Sequence, residues 1–413
     1  MVANTPEVRL LTRCSVLLSE FALFENSLER HFKALMNKNS ATALMRNISI
    51  DWAAGQHPIF RLVRPALVVA CLYVLFIGLD SRLHGHNALF YVHIGSRFAL
   101  HVPHGTPGYD GQFYYQIAHD PLHAAPFLDH PAYRYQRIVY ALLVGALSLG
   151  QASLIPYMLL LVNFIAIVLG TELLARLLIK QQLSPWYSLA FGLYFGQATA
   201  FIFDTTEPLT YFFICLGLFL LTLRRPTAAA LSMGLAVLSR ETAILFPLGY
   251  LVLYLLQTRW QDALRLLLLS IAPTIIWYII VGLLFNTSGL SSAPAFQLIP
   301  FQGLFFFSHD PPRFQNLIIL MLIPTLLSSI LLIKEILQHR WKTASWLIWL
   351  LNLVLVICMS HLSYVELVSA GRLSTGLVLA MLFHGLYTRN TTLLWACQIY
   401  VLTFAYYAHY ILA

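Results

Sequence analysis

Between Gly108 and Arg137 the chain reads GYDGQFYYQIAHDPLHAAPFLDHPAYRYQR, which sets Asp110, Asp120 and Asp129, three His and two Arg among Tyr, Phe and Pro. Carboxylates accept protons and guanidiniums clamp anions, so these residue types suit acid–base chemistry beside a charged ligand. Asp110 follows the breaker-rich HVPHGTPG and opens a segment with Phe113, Tyr114 and Ile117 on one helical face. Two readings stand for it: the N-cap of that helix, or a reacting carboxylate. Asp120-Pro121 and Asp129 ahead of Pro131 read as turn residues first. Arg134 and Arg137 flank Tyr135 where the chain turns apolar again, placed either to snorkel or to bind phosphate. The loop histidines (His84, His86, His93, His101, His104, His119, His123 and His130) lack a paired helical spacing such as HExxH. They read as surface residues, and no metal site is assigned to them.

Further along, FDTTEPL carries Asp204 and Glu207, with Glu207 suited to an N3 capping role. LSRETAILFPL carries Arg240 beside Glu241, which reads as a local ion pair or as part of a site. SAGRLSTG carries Arg372. An isolated Arg at the outer end of a membrane helix defies the positive-inside bias, and this makes it a phosphate-ligand candidate.

The elements that position these groups are apolar. The 413 residues are 59% hydrophobic and 10% charged, with mean hydropathy +0.73. That composition implies an all-α polytopic membrane protein. The net charge of +8 is what a basic cytoplasmic face produces, and it argues against a nucleic-acid partner. Five scattered Cys support neither a disulfide framework nor a zinc site. Residues 1–60 lack the apolar core of a signal peptide, so the first span is expected to act as signal anchor.

Residues 1–64 form a mildly amphipathic cytoplasmic or interfacial extension, and 65–413 the membrane domain. Arg61 and Arg64 flank the first span near 65–79 and place the N-terminus in the cytoplasm. The loop 80–137 then lies outside, and loops of this length are usually functional. Apolar segments follow near 138–150, 156–178, 186–203, 207–223, 227–239, 242–257, 264–285, 315–333, 344–360, 371–388 and 391–412. The total is about 11–12 membrane segments, several of them short for a bilayer. Arg176/Lys180, Arg224/Arg225, Arg259/Arg265, Lys334/Arg340/Lys342 and Arg389 all belong in the cytoplasm. That alternation holds only if 138–150 does not cross, and it gathers Asp204, Glu207, Arg240, Glu241, Glu366 and Arg372 on the face of the first loop.

A short span, then a large outer loop carrying YDGQFYYQIA and DP, then re-entry through an aromatic–Arg segment resembles the GT-C class of integral-membrane glycosyltransferases. More distantly it is similar to the mannosyltransferases of the GPI-anchor pathway. LSRETAILFPL and GRLSTGLVLAML look like later helices of the bacterial members, so the resemblance spans about 65–390. It implies a GT-C-like fold with juxtamembrane helices in the first extracytoplasmic loop, in the inner (plasma) membrane. It also implies inverting transfer of a sugar from a polyprenyl-phosphate donor to a lipid or glycan acceptor at the outer face, with membrane lipids as surroundings. On that reading Asp110 is the general base. Arg372 and Arg240, assisted by Arg134 or Arg137, stabilise the leaving phosphate. Tyr109, Gln112, Tyr114, Tyr115, Tyr133, Asp204 and Glu207 line the substrate site. Asp110→Asn is expected to fold and to lose transfer. The chain departs from the pattern at Tyr109, where Trp is commoner, and in lacking an adjacent Asp-Asp or Asp-Glu pair, so no metal ligand is assigned and a divalent metal cofactor stays open.

The main rival is a lipid-linked saccharide flippase, which would set its charges at mid-helix and carry an inverted repeat. An O-antigen-type polymerase or ligase would place its large loop late. A non-catalytic scaffold does not account for the loop's density of Asp, Tyr and Arg. An intramembrane protease would need Ser/His or paired Asp inside two spans.

Overall fold

The computed structural model describes residues 64–289, 295–338 and 343–412; the extension expected at the N-terminus lies outside these, apart from Arg64. Among the described residues every regular element is helical. In order they are α1 (Pro65–His84), then α2 (Asp110–His119) and α3 (Pro131–Tyr135) within the loop. α4 (Ile138–Leu147), α5 (Ile155–Lys180), α6 (Phe195–Ile202), α7 (Glu207–Thr222) and α8 (Pro226–Ser239) follow. Next come α9 (Leu245–Leu256), α10 (Trp260–Phe285) and α11 (Pro311–Leu337), the last two each passing through a π-helical turn. α12 (Ala344–Ile357), α13 (Leu367–Thr388) and α14 (Ile399–Leu412) complete the order. Proline opens α1, α3, α8 and α11, where its missing N–H would have no intrahelical partner.

Five helices (α1, α5 extended back to Ala152, α10, α11 and α13) are long and apolar enough to cross a membrane. Outward-facing side chains support that environment. On α10, Ile275, Ile276, Ile279, Ile280 and Leu283 are all exposed, at helical spacing, and such a stripe is stable against lipid rather than water. The other apolar helices are shorter. α4, with 10 residues, reaches only ~15 Å along its axis, half a hydrocarbon core. It folds back on α5, where the Tyr140 hydroxyl donates to the Leu159 carbonyl at 3.1 Å. Over the expected segment 138–150 the helix covers Ile138–Leu147, the shortest of the apolar helices outside those five. The apolar segment expected over 186–203 is not one continuous helix: the chain breaks there into Pro185–Ser188, Leu189–Gly192 and the eight-residue α6.

α13 lies at the centre, 78% buried over its most apolar stretch against 28% for α1. It packs on α6 and α12, and α7 packs on α5 and α8. The α6–α13 approach depends on glycine: a Cβ on Gly196 would overlap the Gly371 carbonyl, and one on Gly371 would overlap the Phe195 ring. Small residues let membrane helices draw this close, and here the approach sets the position of Arg372, one residue on. Gly196→Ala is expected to cost about 1–3 kcal/mol by overpacking, lowering the unfolding temperature of the detergent-purified protein by several degrees. Gly78→Ala, with nothing within 4 Å of the new Cβ, should leave it level or slightly higher.

Candidate active site

Asp110 is the first residue of α2, and Tyr109 rather than Asp110 takes the N-cap position. Capping alone does not account for it. Its Oδ1 accepts from Arg134 Nη1 at 2.8 Å, and its Oδ2 from Arg372 Nη2 at 2.7 Å. Arg134 reaches back from α3 and forks onto Asp129, Nε to Oδ1 at 2.8 Å and Nη2 to Oδ2 at 2.7 Å. Arg372 also donates from Nε to Glu207 Oε1 at 2.7 Å, and Arg240 sits against that same oxygen as an ion pair without the alignment of a hydrogen bond. Charge thus alternates along Asp129–Arg134–Asp110–Arg372–Glu207–Arg240, drawn from the loop, α7, α13 and the C-cap of α8. A second pair lies alongside: Arg137 forks onto Glu241 at 2.6 and 2.8 Å and contacts the Tyr133 hydroxyl.

Several sequence expectations change here. Arg240 and Glu241 do not pair with each other; each takes a partner from a different helix or loop. Glu207 is the first residue of α7 and salt-bridges two arginines rather than capping at N3. Asp129 is more than a turn residue, since it anchors Arg134, whereas Asp120 accepts the Leu122 and His123 N–H groups as a turn Asp does. Gln112 is tied to the Gly95 N–H and the Pro107 carbonyl, so it braces the loop. Tyr114 is wholly buried against Tyr140 and has no face to offer a sugar ring, and Tyr115 stacks on His119. Tyr109 and Tyr133 stay half-buried at the rim. The Tyr109 hydroxyl pairs with Ser369, and Arg372 lies over its ring; Arg137 lies over the Tyr133 ring. Nothing in the sequence pointed to Ser369.

The cluster has a polarity of its own. Asp110, Asp129 and Glu241 keep 19–29% of their side chains exposed, while the guanidiniums of Arg134, Arg137, Arg240 and Arg372 keep 8% or less. These three carboxylates form the rim, and the cations line the inner wall together with the fully buried Glu207. Donors remain unsatisfied on that wall: Arg372 Nη1 and Arg240 Nε have no hydrogen-bond acceptor, while Arg240 Nη1 is engaged only by its ion pair with Glu207. Asp204, behind them, is buried with neither oxygen bonded, and a Cβ on Gly111 would meet its side chain. Buried donors on a cation are costly unless a ligand or solvent answers them, so the wall suits an anion. A crevice elsewhere, between Leu221, Pro226, Met233, Tyr254 and Arg265, touches none of these groups.

Burial works to raise the Asp110 pKa, but Arg134 and Arg372 together outweigh it and hold the carboxyl well below the usual range. Among the described residues, the group whose atoms converge as metal ligands do is Asp80, His84 and His86, apart from this cluster. Comparison with protein-family models, curated proteins and solved structures finds no match.

A depressed folded-state pKa gives stability that is complete above the unfolded carboxylate value of about 3.9 and fades as pH falls toward the folded one. Asp110→Asn leaves each arginine one other carboxylate, so it should unfold about 1–3 kcal/mol more easily. The deficit should be constant from about pH 5 to 8 and shrink below about pH 4, read as thermal unfolding of both proteins across pH.

Proposed function

We propose that the chain transfers a sugar from a polyprenyl-phosphate donor to a hydroxyl acceptor at the outer face of the membrane, with inversion. Support comes from one observation above the others: a rim carboxylate, Asp110, clasped by two arginines from separate elements, one of which keeps a buried donor unsatisfied. We place the membrane helices in a plasma membrane with the N-terminus cytoplasmic and the loop outside.

The resting geometry sets a condition on the mechanism. A carboxylate held far below its usual pKa is a weak base, and arginines engaged by carboxylates cannot fully serve a phosphate. Both constraints lift together if the donor's phosphate enters between Asp110 and Arg372. The phosphate takes the guanidinium donors of Arg372 and Arg240, and Asp110, relieved of one cation, regains basicity. The acceptor hydroxyl then gives its proton to Asp110 as its oxygen bonds to the anomeric carbon. The bond from that carbon to the phosphate oxygen breaks, and its electron pair stays on the phosphate, where the arginines meet the growing charge. Asp110 passes its proton to solvent. Tyr109 and Tyr133, half-exposed beside Arg372 and Arg137, are positioned to pack on the sugar.

The test is transfer from radiolabelled polyprenyl-phosphate sugars to a membrane extract by purified protein. Wild type should form a labelled product; Asp110→Asn should fall by at least about 100-fold. Arg372→Lys, which keeps the charge but loses the two-carboxylate fork, should fall by at least about tenfold. Label moving across the bilayer with no covalent product would favour the flippase reading, and full activity of Asp110→Asn would sink Asp110 as base.

A further inference from the structure

Asp80 and His84 lie one turn apart on the same face at the outer end of α1. Gly85 then takes a left-handed conformation (φ 70°), which stops the helix and turns His86 back toward it. Both rings address one carboxylate: His84 Nδ1 is 2.9 Å from Asp80 Oδ1, and His86 Nδ1 is 2.8 Å from Oδ2. One ligand atom from each of the three residues lies within 4.8 Å of the others. The Asp80 side chain is only 7% exposed and accepts a further hydrogen bond from the buried Tyr91 hydroxyl. His86 stacks face to face on Phe90 at 3.4 Å.

We propose that Asp80, His84 and His86 bind a divalent transition-metal ion of the zinc class. Two imidazoles and a carboxylate are a borderline ligand set that suits zinc and cobalt, not magnesium or calcium. Moving each ring proton from Nδ1 to Nε2 turns two hydrogen-bond donors into two lone pairs, so the ion enters without loss of a proton. Tyr91 fixes the carboxylate from behind, as outer-shell partners of metal ligands do. The half-exposed imidazoles leave the outward side open for a water as fourth ligand.

The ion is a brace for the loop. Tyr91 belongs to the short turn Phe90–Val92, and the His93 carbonyl just after it accepts the Tyr109 N–H at 3.0 Å. The Val92 carbonyl also presses on Gly111. A metal at Asp80 thereby fixes the backbone on either side of Asp110 to the end of α1. The proposal is independent of sugar transfer.

The experiment counts metal. Full-length protein in detergent is stripped with a chelator, incubated with zinc chloride, desalted and analysed by mass spectrometry for bound zinc. Wild type should keep about one zinc more per chain than His84→Ala/His86→Ala, and an excess of magnesium should not displace it. Tyr91→Phe should bind zinc about tenfold more weakly. Cobalt should give a visible ligand-field band in wild type that is missing in His86→Gln, a milder change on a half-exposed ring. Wild type that keeps no zinc overturns the proposal whatever the variants do. So does equal zinc in wild type and a double variant that elutes as a single sharp species.

Discussion

A guanidinium withdrawn from water must find a carboxylate or an anion, and this chain withdraws four of them in one place. Arg134, Arg137, Arg240 and Arg372 are all buried, and every one is neutralised by an acid from a different stretch of sequence. The Arg372 pairs join the loop to α7 and α13; the Arg137 pair joins the loop to the turn after α8. The fold around them can be understood as whatever holds these partners in register. α6 and α13 close through Gly196 and Gly371, so that Arg372 reaches both Asp110 and Glu207. α4 packs back on α5, and Arg137 at its start lies beside Glu241.

Such a cluster has limited value as a stability device. Apolar residues of similar volume often serve as well as a buried ion pair, and losing one partner leaves a stranded charge. Its asymmetry suits binding better. Asp110, Asp129 and Glu241 sit at the rim where a solute arrives, the cations sit behind with Glu207, and two cationic donors, Arg372 Nη1 and Arg240 Nε, are left over. An anion entering from the rim would trade one carboxylate contact for its own oxygens and free the carboxylate to act. The resting pairs then hold the arginines in place before the substrate comes.

How much of this was legible in the sequence differs by residue. The meeting of Asp110, Glu207, Arg240 and Arg372 followed from charge alternation, because sidedness is a one-dimensional property of a membrane chain. Partner choice did not follow. Arg240 and Glu241 are neighbours in sequence, yet they sit at a helix end whose geometry aims them apart, toward Glu207 and Arg137. Tyr114 and Gln112 looked available because the loop is polar, but Tyr114 is buried against Tyr140 of α4 and Gln112 is tied to Gly95 and Pro107 within the loop. The broken helix over 186–203 was hidden by unbroken hydrophobicity, although Pro185 and Gly192 were there to be read. Asp80 and His84 carry a visible i, i+4 spacing, which lies outside a doubled-histidine pattern such as HExxH.

The account turns on Asp110 and a phosphate competing for the same guanidinium. Its most direct measurement is the affinity of the purified protein for polyprenyl phosphate, by native mass spectrometry, in wild type and Asp110→Asn. Removing the competitor's charge should tighten lipid-phosphate binding by several-fold in the same variant that loses transfer. If polyprenyl phosphate does not bind, or if Asp110→Asn binds it more weakly than wild type, the cluster is a structural clasp and not the seat of the reaction.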